Sequence, residues 1–170
     1  MSDKKFAPEY PRRLDTETGL QDLVDFGSDV NLRKRLFIEE SMKHPAKANL
    51  NMLGSVISYV SEPDERITDI MAGTGSILIA ALAGRPVTLI EISSHYCEWI
   101  TRSLEEKLEP IAPGISSQVM LINNACQRVL PIPTNHIIFS PPYAHIMAKK
   151  LFSEGDISKD IYGEGLTEYS

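Results

Sequence analysis

A glycine-containing turn between a predicted strand and a predicted helix constrains the fold of this chain more than any other feature. The turn spans residues 69–76, with the sequence Asp-Ile-Met-Ala-Gly-Thr-Gly-Ser. Residues 66–71 have the apolar character of a buried strand, and the apolar residues 77–83 predict a helix. Glycines in such a turn either let a ligand approach the backbone or serve packing alone, and both interpretations stay open here. The order strand, glycine turn, helix predicts the first crossover of a doubly wound α/β domain, where nucleotides bind.

Three more predicted strands follow the turn. They are the apolar segments 87–92, 119–122 and 136–139, and helical stretches alternate with them. Strands that alternate with helices in this way form a mainly parallel sheet. We therefore expect an α/β fold with a Rossmann-like, doubly wound sheet.

Further helices are expected around these strands. Asp29 is a candidate N-cap for a helix over residues 30–42. Apolar residues at spacings of three and four then predict an amphipathic helix that ends near Ser61. Another helix is expected to begin at Ser93 or Ser94, after the second strand.

Two groups of basic residues lie in the first part of the chain. Residues 1–28 contain prolines and glycines without an apolar period, so we expect an irregular surface arm. The first group belongs to this arm and is expected to be solvated. The second group lies on the first predicted helix, where it forms either a solvated face or a contact with phosphate. The two groups are Arg12 with Arg13, and Arg33 with Lys34 and Arg35.

Length, charge and cysteine content bound the possible classes. The 170 residues suit one domain or one domain with short extensions. No apolar run approaches the roughly 20 residues of a membrane span, and the N-terminus lacks the apolar segment of a signal peptide. The two cysteines have no metal-ligand spacing, so we expect a cytoplasmic protein. The net charge of -6 argues against a protein whose whole surface binds nucleic acid, but it is compatible with a local basic groove.

Polar residues follow the predicted strands at their carboxyl ends, where parallel sheets bind ligands. Glu91 ends the second strand, and a carboxylate about twenty residues after the first strand can accept hydrogen bonds from both hydroxyls of a ribose. Asn124 follows the third strand, as an adenine contact or as a turn residue. Residues 140–143 follow the fourth strand. This convergence predicts a nucleoside-containing cofactor at the first three strands and chemistry at the fourth.

The tetrapeptide Ser-Pro-Pro-Tyr after the fourth strand has an unusual set of polar groups. Pro141 and Pro142 stiffen the backbone and supply no N–H, so their carbonyl groups are fixed acceptors. Ser140 adds a side-chain acceptor, and Tyr143 adds an aromatic face. Rigid acceptors beside an aromatic ring suit an exocyclic amino group on a planar base. A plain loop after a strand is the alternative.

Three motifs together resemble the S-adenosylmethionine-dependent DNA amino-methyltransferases, which modify N4 of cytosine or N6 of adenine. Residues 69–76 resemble the cofactor motif of that family, with Ile70 where proline is usual. Residues 140–143 resemble its catalytic motif, and residues 44–47, His-Pro-Ala-Lys, resemble the motif that helps to enclose the methionine part of the cofactor. The resemblance covers residues 44–145.

The resemblance implies a class I methyltransferase fold, S-adenosylmethionine as cofactor and a set of site residues. Serine at the first catalytic position is more similar to N4-cytosine enzymes than to adenine enzymes. Asparagine at position 124 departs from the aspartate that the family often has. The implied catalytic residues are Ser140, Pro141, Pro142 and Tyr143, and the implied cofactor-binding residues are His44, Lys47, Asp69, Met71, Ala72, Gly73, Thr74, Gly75, Glu91 and Asn124.

The resemblance also implies domain limits and partners. An arm and a lead-in helix occupy residues 1–43, the methyltransferase domain occupies 44–152, and a polar acidic tail occupies 153–170. The family sheet has about seven strands, so we expect this sheet to be incomplete after the fourth and the chain to be a fragment or to need a partner. The expected partners are duplex DNA with a flipped base and a separate target-recognition or restriction subunit.

Other acceptors and classes remain open. RNA bases and protein glutamine amides are also planar amines, and related enzymes modify them. A truncated, non-catalytic methyltransferase fragment is a further alternative. A nicotinamide-dependent dehydrogenase is weaker, because nothing at the fourth strand resembles a hydride-transfer site.

Overall fold

The structure is a computed structural model that describes residues 12–13, 24–44 and 47–141. The strands and helices in chain order are β1 (Arg12–Arg13), β2 (Val24–Asp25), α1 (Val30–Leu36), α2 (Leu50–Val60), β3 (Ile67–Asp69), α3 (Ile79–Leu82), β4 (Val87–Glu91), α4 (Ser94–Ser103), β5 (Val119–Asn123), α5 (Cys126–Val129) and β6 (His136–Ile137).

The centre of the fold is a parallel sheet with the strand order β5-β4-β3-β6. Every pair of neighbours in this sheet is parallel, which confirms the predicted α/β architecture. Strands β4 and β5 lie on one side of β3, whereas β6 lies on the other. The direction of the crossovers therefore reverses beside β3, and doubly wound sheets bind ligands at the carboxyl ends of the strands at such a point.

The main core lies between this sheet and the helices α2, α3 and α4. All five residues of β4 are buried, as expected for a parallel strand. Helix α2 buries one face at a helical spacing and begins at Asn49, whose side chain accepts hydrogen bonds from the backbone of Asn51 and Met52. The buried residues of the main core include Leu53, Ile57, Ile67, Ile77, Leu78, Val87, Leu89 and Ile100.

The predicted helix over residues 30–42 is wrong in its second half. Helix α1 ends at Leu36, and a 3-10 helix occupies Glu39–Lys43. Leu36, Phe37 and Ile38 are all buried. Three consecutive side chains on an α-helix point in directions that spread over more than half a turn, so they cannot all face one core. The extended backbone of Phe37, with φ -129° and ψ 155°, solves this packing problem.

Asp29 is not the side-chain cap that the sequence predicted. Its carboxylate makes no capping hydrogen bond to α1. It accepts hydrogen bonds instead from the Arg33 guanidinium and from the backbone N–H of Leu50, both at 2.9 Å. Asp29 therefore joins the first turn of α1 to the start of α2.

A solvated face, one of the two interpretations left open for the basic trio, is wrong at Arg33, whose side chain is only 2% exposed. Its guanidinium donates hydrogen bonds to Ser76 Oγ at 3.0 Å and to the carbonyl oxygen of Ala48 at 2.6 Å, besides Asp29. Lys34 and Arg35 are exposed, as expected. Arg33 therefore connects α1, in the lead-in segment before α2, to the glycine turn.

Smaller differences between prediction and structure concern the N-terminal arm, the helix after the glycine turn and the last strand. Strands β1 and β2 pair antiparallel within the arm that we expected to be irregular. The helix after the glycine turn is where the sequence predicted it, but it begins with a 3-10 turn over Ser76–Leu78. Strand β6 is shorter than expected, although the N–H of Ile138 still donates to Thr68 O at 3.0 Å. The tail over residues 153–170 lies outside the described residues.

No helix in the part of the chain that the structure describes is long and apolar enough to cross a membrane. Strand β6 lies at one edge of the described sheet, next to an open apolar groove. Ile137 and Phe139 in this groove are 50% and 44% exposed, and Val56 and Val60 of α2 face it. The prediction that the sheet continues beyond this edge stays a prediction.

Candidate cofactor site

The turn after β3 bends over the carboxyl end of β4. Asp69 Oδ1 accepts a hydrogen bond from the backbone N–H of Met71 at 3.0 Å, which starts the turn. The N–H of Ala72 then donates to Ile90 O at 3.0 Å, and the N–H of Gly75 donates to Ala72 O at 2.8 Å. The predicted residues 69–75 therefore lie together at the place where the crossovers reverse.

Glu91 connects this turn to the next helix. One carboxylate oxygen, Oε2, accepts a hydrogen bond from the N–H of Gly73 at 2.7 Å. The other, Oε1, accepts one from the N–H of Ser93 at 2.9 Å, directly before α4. Each carboxylate oxygen has a second lone pair, so both can still accept hydrogen bonds from a ligand. The ribose contact stays a prediction, and the structure adds that Glu91 fixes the backbone around the crevice.

The two glycines of the turn have different physical roles. Gly73 has φ +53°, and a Cβ placed there would have His44 Nε2, at 3.9 Å, as its nearest atom outside the neighbouring residues. Gly75 has φ +78°, and a Cβ there would lie only 2.8 Å from Ile100 Cγ1 on α4. Gly75 is thus needed for close packing of the helix, whereas a Cβ on Gly73 would clash with nothing. The packing interpretation therefore applies to Gly75, and the approach of a ligand to Gly73 stays a prediction.

We expect Gly75→Ala to destabilise the protein by about 2–4 kcal/mol, because it combines a strained backbone with a clash in the core. The matched control is Gly84→Ala, which has the same φ of +78° but no atom within 4 Å of the new Cβ. The control should lose only about 1 kcal/mol, from backbone strain alone. Urea denaturation measures both values, and equal losses would contradict the packing role of Gly75.

His44 and Lys47 lie on the segment between the 3-10 helix and α2. The His44 side chain is buried, and its ring packs edge-on against Tyr96 with 5.1 Å between ring centroids. Lys47 Nζ donates hydrogen bonds to the carbonyl oxygens of Met42, at 2.9 Å, and of His44. Burial lowers the pKa of Lys47, and the nearby Arg33 guanidinium lowers it further. Lys47 therefore stabilises the segment that carries His44, and its cofactor contact stays a prediction.

Two carboxyl groups with raised pKa values lie at the ends of β3 and β4. Burial raises the pKa of Asp69 to about 7, the hydrogen bond from Met71 N–H opposes the shift, and the charge of Glu91 adds to it. Burial also raises the pKa of Glu91, against hydrogen bonds from the backbone of Ser93, Gly73 and Ile92. A crevice with two confined carboxyl groups favours a ligand that carries positive charge.

The end of β5 contributes one predicted residue and one that the sequence did not single out. The side chain of Asn124 is exposed, and its Oδ1 accepts a hydrogen bond from Ala125 N–H at 2.9 Å, so it acts as a turn residue. Its adenine contact stays a prediction. Asn123 Nδ2 donates to the carbonyl oxygens of Glu91 and Ile92, at 2.9 and 3.0 Å. The only sequence signal for Asn123 was a second amide at a strand end.

Ser140 and Pro141 follow β6 and are exposed. Strand β6 pairs with β3 in parallel, with Ile137 opposite Thr68. Ser140 and Met71 are each three residues beyond that pair, so both lie at the carboxyl end of the sheet. Pro142 and Tyr143 lie outside the described residues.

Three further predicted residues, Met71, Ala72 and Thr74, belong to the glycine turn. Thr74 is buried, and the cofactor contacts of all three stay predictions.

No group of three or more metal-ligating side chains is assembled among the described residues. The two cysteines are both free, Cys97 buried on α4 and Cys126 partly buried at the start of α5. Burial raises the pKa of the Cys97 thiol to about 11, with a further contribution from the charge of Glu91. Cys97 is thus a protonated thiol at neutral pH.

No protein-family model and no curated protein sequence matches the chain. Several solved structures are similar to it in fold. TrmN from Thermus thermophilus is 17% identical, with 66% of this chain and 33% of that chain covered and a TM-score of 0.50. A Pyrococcus horikoshii protein provisionally described as an RNA methyltransferase is 17% identical, with 65% and 58% covered and a TM-score of 0.47. A SAM-dependent methyltransferase from Agrobacterium tumefaciens is 21% identical, with 55% and 30% covered and a TM-score of 0.42.

The chain spans about a third of the length of TrmN. Together with the strand order β5-β4-β3-β6, the likeness confirms the predicted Rossmann-like fold of class I methyltransferases. At these identities the likeness concerns the fold alone.

Proposed function

We propose that this chain binds S-adenosylmethionine and takes part in transferring its methyl group to the exocyclic amino group of a nucleic acid base. The observation that carries the proposal is the meeting of the glycine turn and Glu91 at the carboxyl end of the sheet, where the crossovers reverse. There the N–H of Gly73 donates a hydrogen bond to the Glu91 carboxylate at 2.7 Å. The catalytic tetrapeptide begins at the same end of the neighbouring strand, at Ser140.

The described residues fit this cofactor in two respects. A Cβ on Gly73 would meet only His44 Nε2, at 3.9 Å, so a ligand atom that approaches this backbone position lies in contact with the imidazole. The carboxyl groups of Asp69 and Glu91 are confined in the crevice, and the cofactor carries a positively charged sulfonium and an ammonium group. In this proposal Glu91 holds the ribose hydroxyls, and the segment from His44 to Lys47 encloses the methionine end.

When bound, S-adenosylmethionine supplies a methyl group that is already activated by the sulfonium. The residues of the chain then need only to align the acceptor amine and to exclude water. Ser140 Oγ and the carbonyl oxygen of Pro141 hold the amino group as hydrogen-bond acceptors. Tyr143, outside the described residues, stacks on the base, an interaction worth about 1–3 kcal/mol. A base in a duplex reaches these groups only after it has flipped out of the helix.

The acceptor is proposed as a base of DNA or RNA. The resemblance in sequence favours N4 of cytosine in DNA. Among the structures compared above, one carries the name of an RNA methyltransferase and none carries that of a DNA methyltransferase. RNA therefore stands beside DNA as an acceptor. A separate target-recognition or restriction subunit and a cytoplasmic location stay predictions.

Titration calorimetry with S-adenosylmethionine tests the cofactor assignment. We expect the full chain to bind, and Gly73→Ala to weaken binding at least about tenfold, because the new methyl group occupies the approach to the backbone. Gly84→Ala is the control: its φ is also positive, but it follows α3 at the far end of the crossover. Absence of binding by the unmodified chain, or equal weakening in both variants, would overturn the assignment.

A transfer assay with radiolabelled S-adenosylmethionine then identifies the acceptor. Duplex DNA, single-stranded RNA and a glutamine-containing protein mixture are offered separately to the full chain. Methylated cytosine N4 or adenine N6 in DNA or RNA supports the proposal, whereas label in protein alone contradicts it. Cofactor binding without any transfer would mean that acceptor recognition requires a partner chain.

A further inference from the structure

A series of contacts leads from Gly73 through Glu91 and α4 to His44. The N–H of Gly73 donates to Glu91 Oε2 at 2.7 Å, and Ser93 N–H donates to Glu91 Oε1 at 2.9 Å. Ser93 Oγ accepts a hydrogen bond from the N–H of Tyr96 at 3.4 Å, within the first turn of α4. The Tyr96 ring contacts the His44 ring, and His44 Nε2 would lie 3.9 Å from a Cβ placed on Gly73. The series therefore begins and ends beside Gly73.

The contact between Tyr96 and His44 differs from the others in this series, because it joins two side chains and involves no backbone group. The two rings meet edge to face, with centroids 5.1 Å apart and an interplanar angle of 65°. Both side chains are buried, Tyr96 at 3% and His44 at 9% exposure. This geometry is a favourable one for aromatic pairs. The Tyr96 ring is therefore a contact from α4 that helps to set the position of the imidazole.

Tyr96 also packs against side chains other than His44. It forms a small apolar cluster with Trp99 and Ile38, separate from the main core. The Tyr96 and Trp99 rings are 5.5 Å apart, and Trp99 also contacts His95 at 4.4 Å. Tyr96 is thus packed against Trp99 of α4 and against Ile38 from the segment before α2.

We propose that Tyr96 is a positioning residue of the cofactor site, which holds the His44 imidazole at the crevice beside Gly73 so that His44 contacts the bound ligand. The inference rests on the proposed function, because S-adenosylmethionine is the ligand whose binding reports it. His44 lies between a 3-10 helix and α2, on a segment without regular structure at that point. Tyr96 on α4 gives an imidazole on such a segment a neighbour that belongs to a regular helix.

The test compares two replacements of Tyr96 in the full chain. Tyr96→Leu removes the aromatic contact but keeps an apolar side chain, and we expect it to weaken S-adenosylmethionine binding about tenfold. Tyr96→Phe keeps the ring and should weaken binding less than about threefold. Trp99→Phe serves as the packing control, since it disturbs the same cluster but leaves Tyr96 an aromatic neighbour. It should lower stability without a matching loss of affinity.

A double-mutant cycle separates positioning from general damage. If Tyr96 acts through His44, then Tyr96→Leu should cause no further loss of affinity in a His44→Ala background. In the ligand-free protein, the ring-proton resonances of His44 should shift in Tyr96→Leu and stay in place in Tyr96→Phe.

Three results would overturn the inference. Additive losses in the cycle, or unshifted His44 resonances in Tyr96→Leu, would remove the positioning role while cofactor binding by the unmodified chain stands. An equal loss of affinity in Trp99→Phe would assign the effect to packing. Failure of the unmodified chain to bind S-adenosylmethionine would instead overturn the proposed function, and the inference with it.

Discussion

At pH 8, Asp69→Asn is expected to raise the free energy of unfolding by on the order of 2–4 kcal/mol. Burial raises the pKa of Asp69 to about 7, and the charge of Glu91 adds to the shift. At pH 8 the folded protein therefore holds an ionised carboxylate in surroundings that disfavour it. Asparagine keeps an oxygen acceptor for the Met71 N–H, so the variant removes the charge without removing the turn contact.

The increase in the free energy of unfolding caused by Asp69→Asn should itself increase with pH. Between about pH 4 and pH 7 the folded state keeps a proton on Asp69 that the unfolded chain has released, because the folded pKa is raised. The stability that this proton contributes is present at acid pH and is lost as the pH rises through 7. The difference between Asp69→Asn and the unmodified protein should thus be largest above pH 7 and small at pH 4.

Urea denaturation at pH 4, 6 and 8 measures this difference. The control is Asp64→Asn, which removes an exposed carboxylate in the turn before β3 and should change stability by less than about 0.5 kcal/mol throughout. An equal gain at pH 4 and pH 8 would mean that packing rather than charge causes the effect.

The same variant should bind S-adenosylmethionine more weakly. The Asp69 charge lies in the crevice with that of Glu91, and both favour a cationic ligand. A buried carboxylate that costs stability is typical of binding sites, where function and stability are in conflict. A variant that is both more stable and equally good at binding would remove Asp69 from the proposed site.

The centre of the fold could be predicted well from the sequence, because strands buried on both faces consist of apolar residues. Strand β4 is buried along its whole length, so its residues read as one continuous apolar run. The polar residues that interrupt such runs mark the ends of the strands. Glu91 and the glycine turn could therefore be placed at one edge of the sheet before any coordinates were known.

The functions of individual polar residues were harder to predict, because they depend on distant neighbours. Gly73 and Gly75 look alike in sequence, and only the position of Ile100 on α4, 2.8 Å from a Cβ at residue 75, shows that Gly75 is the one needed for packing. Glu91 was expected to bind a ligand, yet its carboxylate also fixes Gly73 and Ser93. That second role follows from the path of the backbone, which residue type alone does not specify.

Arg33 is the clearest case, and it leads to the second large expected effect. In sequence it resembles Lys34 and Arg35, whereas in the structure its partners Ala48 and Ser76 lie 15 and 43 residues away. Arg33→Met should lower the free energy of unfolding by about 3–5 kcal/mol, because it leaves the Asp29 carboxylate without its charged partner.

Three companion variants make the Arg33 prediction specific. Lys34→Met removes an adjacent exposed charge and should change stability by less than about 0.5 kcal/mol. Arg33→Lys keeps the charge but lacks the fork of donors, so it should recover only part of the loss. In an Asp29→Asn background the cost of Arg33→Met should shrink, since no unpaired carboxylate remains. Chemical denaturation measures the unmodified protein, each single variant and the Asp29→Asn/Arg33→Met double variant. A loss in Arg33→Met as small as that in Lys34→Met would contradict the buried network. Because Arg33 Nη1 also holds Ser76 Oγ at 3.0 Å, a loss confirmed at Arg33 would make the lead-in segment a support of the glycine turn itself.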